Sequence, residues 1–263
     1  MLVFAACRLD AYAKARFAEL CHAASQQTQL QIAARHVSQY EDLATLLRTV
    51  EGSIVWAPPI VAVELLDAKL ADVVALPERH GLLTSNVAFI VRMQDAAKTL
   101  DDLRGRRVMW LDRQSASGYV LPRLHLAARG HDPDTFFSKE AFGETHLAVL
   151  DAVSNGTVDA GTSWCRIDPK TNKTLDAGWI RSDGLSIRPV RAAHTLGPVP
   201  NDAVLVSTKV RTTDRLRLVR WLLEPDKASH GPLKELMSTH VFRTPSPAHF
   251  SALREMLLAR KMR

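Results

Sequence analysis

A chain of 263 residues, 46% hydrophobic and 24% charged, has the balance of an ordinary globular protein, which excludes a disordered or fibrous architecture and leaves room for one broad domain or two lobes. No apolar run reaches the roughly 18–20 residues that a membrane span requires, so no span is expected. Thirty-four Lys and Arg against 28 Asp and Glu give a formal charge of +6, which favours encounter with anions; the basic residues are scattered, densest at Arg104, Arg106 and Arg107, and no nucleic-acid partner is expected.

The apolar run at residues 2–6 suits a buried strand, and residues 11–24 carry Ala, Leu, Lys and Arg at helical spacing. The unit repeats: a strand at 30–34, a helix at 40–49 closed near Gly52, and a short strand at 53–56 running into Pro58-Pro59. Such alternation predicts a parallel α/β architecture. Strands follow at 86–91 and 107–111, with a short helix at 100–103 stopped by Gly105 between them. Residues 119–128 read as a helix ended by Gly130, and 146–153 as another ended by Asn155-Gly156 and followed by a strand near 158–161. Residues 166–200, rich in Asp, Gly, Pro, Lys and Thr, are expected to be mostly loop with one strand at 186–190. A strand at 203–207, a helix at 214–223 and two helical pieces parted near 243–247 complete the chain.

Three cysteines, Cys7, Cys21 and Cys165, are an odd number without metal-ligand spacing, so neither a disulfide framework nor a metal centre is expected and the thiols read as small buried hydrophobes. Residues 1–6 run directly into the first strand without the features of an export leader. Two expectations stay open on localisation: cytoplasmic if Met1 is the native start, periplasmic if a leader was removed.

One stretch concentrates the chemistry. A strand at 107–111, a Ser-rich turn and a helix beginning near Gly118 present unpaired backbone N–H groups and a partial positive charge, the arrangement that binds phosphate-like anions. Ser115 and Ser117 add hydroxyl donors, and Gly118 would let the backbone approach a tetrahedral oxyanion. The plain alternative is that Ser117 caps the helix. A second helix starts at Gly143-Glu144-Thr145-His146, with His146 in its first turn, where it either donates to an anion or is a surface or packing residue. Gly197-Pro198-Val199-Pro200-Asn201-Asp202 is a rigid turn leading into the strand at 203–207.

In this order these segments resemble the phosphonate-binding (PhnD-like) family of ABC-transporter solute-binding proteins. The resemblance runs through Asp102-Leu103-Arg104-Gly105-Arg106-Arg107-Val108, Ser115-Ala116-Ser117-Gly118-Tyr119 with Pro122, Thr145-His146 through Ala152-Val153 to Gly156-Thr157-Val158-Asp159-Ala160-Gly161, and Gly197 to Asp202, with looser agreement at Tyr40-Glu41-Asp42-Leu43 and Ile54 to Pro58. It implies an α/β, two-lobed type 2 periplasmic-binding-protein fold with two crossing hinge strands near 86–91 and 203–207. Residues 1–88 plus 206–263 would form lobe one and 89–205 lobe two, with the ligand cleft between them. It further implies a small oxyanion (phosphonate, phosphite or phosphate) held by Ser115, Ser117 and His146, with Ala116, Gly118, Tyr119, Thr145, Asn201 and Asp202 around it, and Trp56 and Ser85 contributed by the other lobe. Cofactors are expected to be none, and the partners an ABC permease or a signalling protein.

Two departures qualify the resemblance. Ala116 replaces a hydroxyl that the family often carries, and Thr162-Ser163-Trp164-Cys165 holds no carboxylate to receive an amine, which points away from an aminoalkyl ligand. Cys165 with His146 is the one pair that could suggest nucleophilic catalysis, and the sequence gives no sign that they meet; nucleotide-loop, HExxH and GxSxG motifs are absent, so an enzyme is not expected. The alternative carried beside transport is a cytoplasmic sensory or regulatory domain of the same fold.

Overall fold

The structure, a computed structural model, describes residues 1–113, 115–180, 184–246 and 248–261. Gln114 in the Ser-rich turn, residues 181–183 in the expected loop and Pro247 in the expected helix break lie outside the described residues.

The first elements are β1 (Leu2–Cys7), α1 (Ala11–Thr28), β2 (Ile32–Val37), α2 (Glu41–Thr49) and β3 (Ser53–Ala57), in the expected alternation. Asp10 starts α1 by accepting the Ala13 N–H at 2.8 Å, which satisfies one of the donors every helix start leaves open. Two elements were not foreseen, α3 (Pro59–Asp67) and β4 (Ala71–Pro77). Pro58-Pro59 reads as a stop, yet Pro59 occupies the first turn of α3, where a missing N–H costs nothing.

Next come β5 (Thr84–Arg92), a 3₁₀ turn at Asp101–Leu103, β6 (Arg107–Trp110), a π turn at Ala116–Val120 that runs into α4 (Leu121–Ala128), β7 (Lys139–Phe142), α5 (His146–Ser154), β8 (Ala160–Ile167), β9 (Thr174–Ala177) and β10 (Val190–Pro200). The expectation of a long loop at 166–200 is thereby corrected: β9 and the 11-residue β10 lie within it. The Arg, His, Gly and Pro residues of β10 and the brevity and Asp176 of β9 hide them from propensity, and sheet partners supply what propensity does not. The chain ends with β11 (Ala203–Ser207), α6 (Thr212–Leu223), α7 (Lys227–Met237), β12 (Phe242–Arg243) and α8 (Ser251–Lys261).

Two compact units result, one of Met1–Leu83 with Pro200–Leu257, the other centred on Thr84–Val199. The chain passes between them at Leu83–Thr84 and Val199–Pro200, so residues 86–91 lie wholly in the second unit and β11 wholly in the first. The first unit's sheet has the order β12-β4-β11-β3-β1-β2, and the second unit's β10-β5-β8-β6-β7 with β9 on β8. Both are mixed, not parallel as expected. β1 is parallel to β2 and β3, but β11 enters antiparallel between β3 and β4; β6 is parallel to β7 and β8, but β5 runs antiparallel to β8. The reversed strands are those that adjoin the two passages.

Each unit has its own core. Phe4, Phe17, Leu20, Ile54, Trp221 and Phe242 centre the first, and Ile90, Leu111, Val149, Leu150, Val153 and Val190 the second. Each such side chain withdrawn from water contributes about 1.5–3 kcal/mol before entropy is counted.

Candidate functional site

At the end of β6, Leu111 holds two loops at once. Its N–H donates to the Gly118 carbonyl at 3.2 Å, and its own carbonyl accepts the Glu144 N–H at 2.8 Å. One residue earlier, the Trp110 carbonyl accepts the Gly143 N–H at 2.9 Å. The Ser-rich turn and the start of α5 are therefore fixed to the same strand end, although 28 positions separate Gly118 from His146.

The turn differs in detail from its sequence reading. Ser115, not Ser117, is the cap: its Oγ accepts the Gly118 N–H at 3.0 Å, and its carbonyl accepts the N–H groups of Tyr119 and Val120 at 3.1 and 3.0 Å. The first turn is consequently a wide π turn and begins at Ala116. Among the described residues the amides of Ala116 and Ser117 meet no acceptor, which leaves two donors free at the helix start. Gly118 has a different reason from the one expected. A Cβ there would lie 2.3 Å from the Leu111 Cβ and 2.7 Å from the Ser115 Oγ, so glycine lets the turn close on β6. The Thr162 hydroxyl, buried on β8, then donates to the Gly118 carbonyl at 2.8 Å and supports the turn from below.

Thr145 caps α5, its hydroxyl accepting the Ala148 N–H at 3.1 Å, and His146 is the helix's first residue. The His146 Nδ1 is buried without a hydrogen-bond partner among the described residues. Burial holds the imidazole below its usual pKa, against the opposing pull of Asp112. An imidazole with an unpartnered nitrogen, at a helix start tied to the same strand end as the Ser-rich turn, is a candidate donor to an oxyanion.

Tyr119 faces the aromatic rings of Trp110 and Phe142, with centroids 5.6 and 5.4 Å away. Arg123 lies over the Tyr119 ring at 5.2 Å but is engaged by Glu140 and Asp134. Arg113 lies over Phe142 at 4.7 Å and over Tyr119 at 5.9 Å. Sequence reasoning passed over Arg113, whose only signal was a cation two residues before Ser115.

Much of the remaining motif material builds the frame. The Arg107 side chain grips Asp159 at 2.8 and 3.0 Å, joining the Arg-rich segment to the start of β8 and drawing the Asp159 carboxyl down to about 2. A Cβ on Gly161 would lie 2.6 Å from Val149, so glycine there lets α5 pack on β8. Gly197, at φ +136°, is similarly close to Asn86 and to the Ser85 carbonyl. Ser85 thus belongs to the second unit, on β5, and not with Trp56 as expected.

In the first unit the polar residues of the Asn201-Asp202 turn are occupied internally. Asn201, 3% exposed, donates its amide to the carbonyls of Pro77 and Leu82 at 2.9 and 3.2 Å, and its N–H to Leu83 at 3.0 Å. Asp202 accepts the Trp56 indole N–H and a fork from Arg79 at 2.6 and 3.2 Å. Arg79 in turn donates to the Met237 carbonyl at 2.7 Å. This clamp fixes the indole, and the sequence reading did not find Arg79.

The Cys165 thiol is fully buried and pushed up to about 12 by burial, which disqualifies it as a nucleophile for His146. Cys21 is buried likewise and Cys7 half-buried; all three are free.

A family model described as ABC transporter, phosphonate, periplasmic substrate-binding protein matches residues 3–250. Among solved structures, XAC2383 from Xanthomonas citri bound to chloride ion aligns with TM-score 0.80 at 20% identity, covering 99% of this chain and 98% of that one. PhnD1 from Prochlorococcus marinus in complex with methylphosphonate aligns with TM-score 0.74 at 17% identity, covering 99% and 97%. A binding protein component of an ABC phosphonate transporter from Pseudomonas aeruginosa aligns with TM-score 0.72 at 17% identity, covering 99% and 86%. A search of curated proteins found no match. At these identities the structural likeness establishes the fold, the two-lobed α/β architecture of periplasmic binding proteins.

Proposed function

The chain belongs to the family of periplasmic phosphonate substrate-binding proteins of ABC transporters, and we propose that it captures a small tetrahedral oxyanion (a phosphonate, phosphite or phosphate) on the paired helix starts of its second unit. Members of this family bind substrate for a permease and are not enzymes. The observation that carries the reading is the double tie at Leu111, which sets the free amides of Ala116 and Ser117 and the unpartnered His146 nitrogen at one strand end. Helix-start amides favour a tetrahedral anion electrostatically, and two or three such charge-assisted bonds give useful affinity without a metal. The complex of PhnD1 with methylphosphonate supports the same ligand class.

In this reading Ser117 and His146 contact the head group, Ser115 and Thr145 hold the two helix starts, and Gly118 and Tyr119 shape the turn between them. Ala116 contributes its amide where a hydroxyl is lost. Ser85 lies on β5 of the same unit, while Asp202, next to Asn201, holds Trp56 within the first unit. The family's description as periplasmic supports work in the periplasm if the chain is exported.

Titration calorimetry with phosphate, phosphite, methylphosphonate and sulfate tests the reading. At least one should give a clear isotherm, weakened about a hundredfold in the Ser117→Ala, His146→Ala variant. Silence across the panel, or binding indifferent to both substitutions, overturns it.

A further inference from the structure

Arg113 and Arg123 flank the same aromatic rings and differ in what neutralises them. Arg123 is 16% exposed and gives its guanidinium to Glu140, to Asp134 and to the Pro133 carbonyl. Its charge is consumed. Arg113 is exposed, and among the described residues it has no carboxylate partner; its guanidinium is held by the faces of Phe142 and Tyr119 and reaches the Tyr119 hydroxyl at 3.5 Å. Aromatic faces order a guanidinium without cancelling its charge, and a planar guanidinium keeps its donor edge free while stacked.

Position gives that charge a use. Tyr119 belongs to the Ser-rich turn, and Phe142 ends β7 four residues before His146, so the cation spans the two segments that Leu111 ties together. The donors assembled there, two backbone amides, a serine hydroxyl and a neutral imidazole, carry no formal charge. Nearby Asp112 adds a negative one, felt at His146. A site of neutral donors beside a carboxylate has little preference for a doubly charged ligand over a singly charged one.

We infer that Arg113 is a specificity-determining residue that supplies the positive charge of the anion site and makes it select dianionic phosphonate or phosphate over monoanionic sulfonates of the same shape. The inference rests on the oxyanion reading above and extends it to the charge state of the ligand. The ordering by Phe142 and Tyr119 matters as well as the charge, because a guanidinium already fixed loses less freedom on binding.

Methylphosphonate and methanesulfonate are matched probes, alike in shape and different in charge once the pH is well above the second ionisation of the phosphonate. Calorimetry at that pH should show the unaltered protein preferring methylphosphonate. Arg113→Gln should weaken methylphosphonate about tenfold or more and methanesulfonate only by about the square root of that factor, roughly threefold for a tenfold loss. Arg113→Lys, which keeps the charge and loses the planar stack, should fall between. The preference should shrink as salt is raised and as the pH is lowered to the phosphonate monoanion. Equal losses for both probes, or none for either, overturn the inference while leaving the oxyanion reading standing. Failure of the unaltered protein to bind any oxyanion defeats that reading instead. Arg113 is on the surface and outside the cores, so a melting curve matching that of the unaltered protein confirms that the variants fold.

Discussion

The two units use their polar turns for opposite ends. In the first, the Asn201-Asp202 turn spends its side chains on its own unit: the Asn201 Nδ2 and N–H on three carbonyls, the Asp202 carboxylate on Trp56 and Arg79. In the second, the Ser115 turn spends only its first serine on closure and leaves two amides and a nearby imidazole nitrogen without partners among the described residues. A satisfied turn fixes shape; a turn with donors left over has something to offer a ligand. The contrast separates residues that hold a site in place from those that meet its ligand, a distinction that motif matching does not make.

The strongest way to break this contrast is Gly118→Ala. With a Cβ 2.3 Å from that of Leu111, the second unit should lose about 3 kcal/mol in urea unfolding, and anion binding should go with it. Asp202→Ala tests the other turn. It leaves the half-shielded Arg79 fork and the Trp56 indole N–H without their acceptor, and should cost the first unit about 2 kcal/mol with a change in tryptophan fluorescence. Retention of both stability and fluorescence would show the clamp to be idle.

Ser115→Ala removes one cap and should cost about 1 kcal/mol, whereas Ser117→Ala should stay within about 0.5 kcal/mol and act on ligand affinity alone. Reversal of the two would return the cap to Ser117. The smallest effect at neutral pH belongs to His125 on α4 and His194 on β10, whose Nε2 atoms lie 2.9 Å apart. Their ring centroids are 5.1 Å apart, about that contact plus two ring radii, so the rings meet head-on as a neutral donor and a neutral acceptor. Burial, with His194, Arg129 and His131 nearby, depresses His125 to about 4. A folded pKa below the unfolded 6.5 means that the pair's contribution is complete above 6.5 and is lost as pH falls from there toward 4. Melting temperatures should therefore decline across that window, less steeply in His125→Gln; parallel declines would remove the pair from the account.

Most helices and the strands at 2–6, 53–56, 107–111 and 203–207 were legible because each carries its own periodicity and punctuation. α3, β4, β7, β9 and β10 were not, because prolines, glycines or polar residues mask strands and helix starts that neighbours stabilise. The sheets' mixed direction was also out of reach: alternation of strands and helices says nothing of a strand that returns from the other unit to lie between two earlier ones.

At the site, the residue types were readable and their assignments were not. The sequence by itself determined that a serine-rich helix start and a histidine helix start occur in the order of a phosphonate-binding family, since those motifs are local. Only the tertiary structure decided that Leu111 ties them together, that Ser115 rather than Ser117 is the cap, that Gly118 serves packing, and that carboxylates compensate the charge of Arg123 while aromatic faces hold that of Arg113. Each of these depends on which atom lies within about 3 Å of which other, a relation between residues distant in sequence that hydrogen-bond satisfaction and steric exclusion settle when the chain folds.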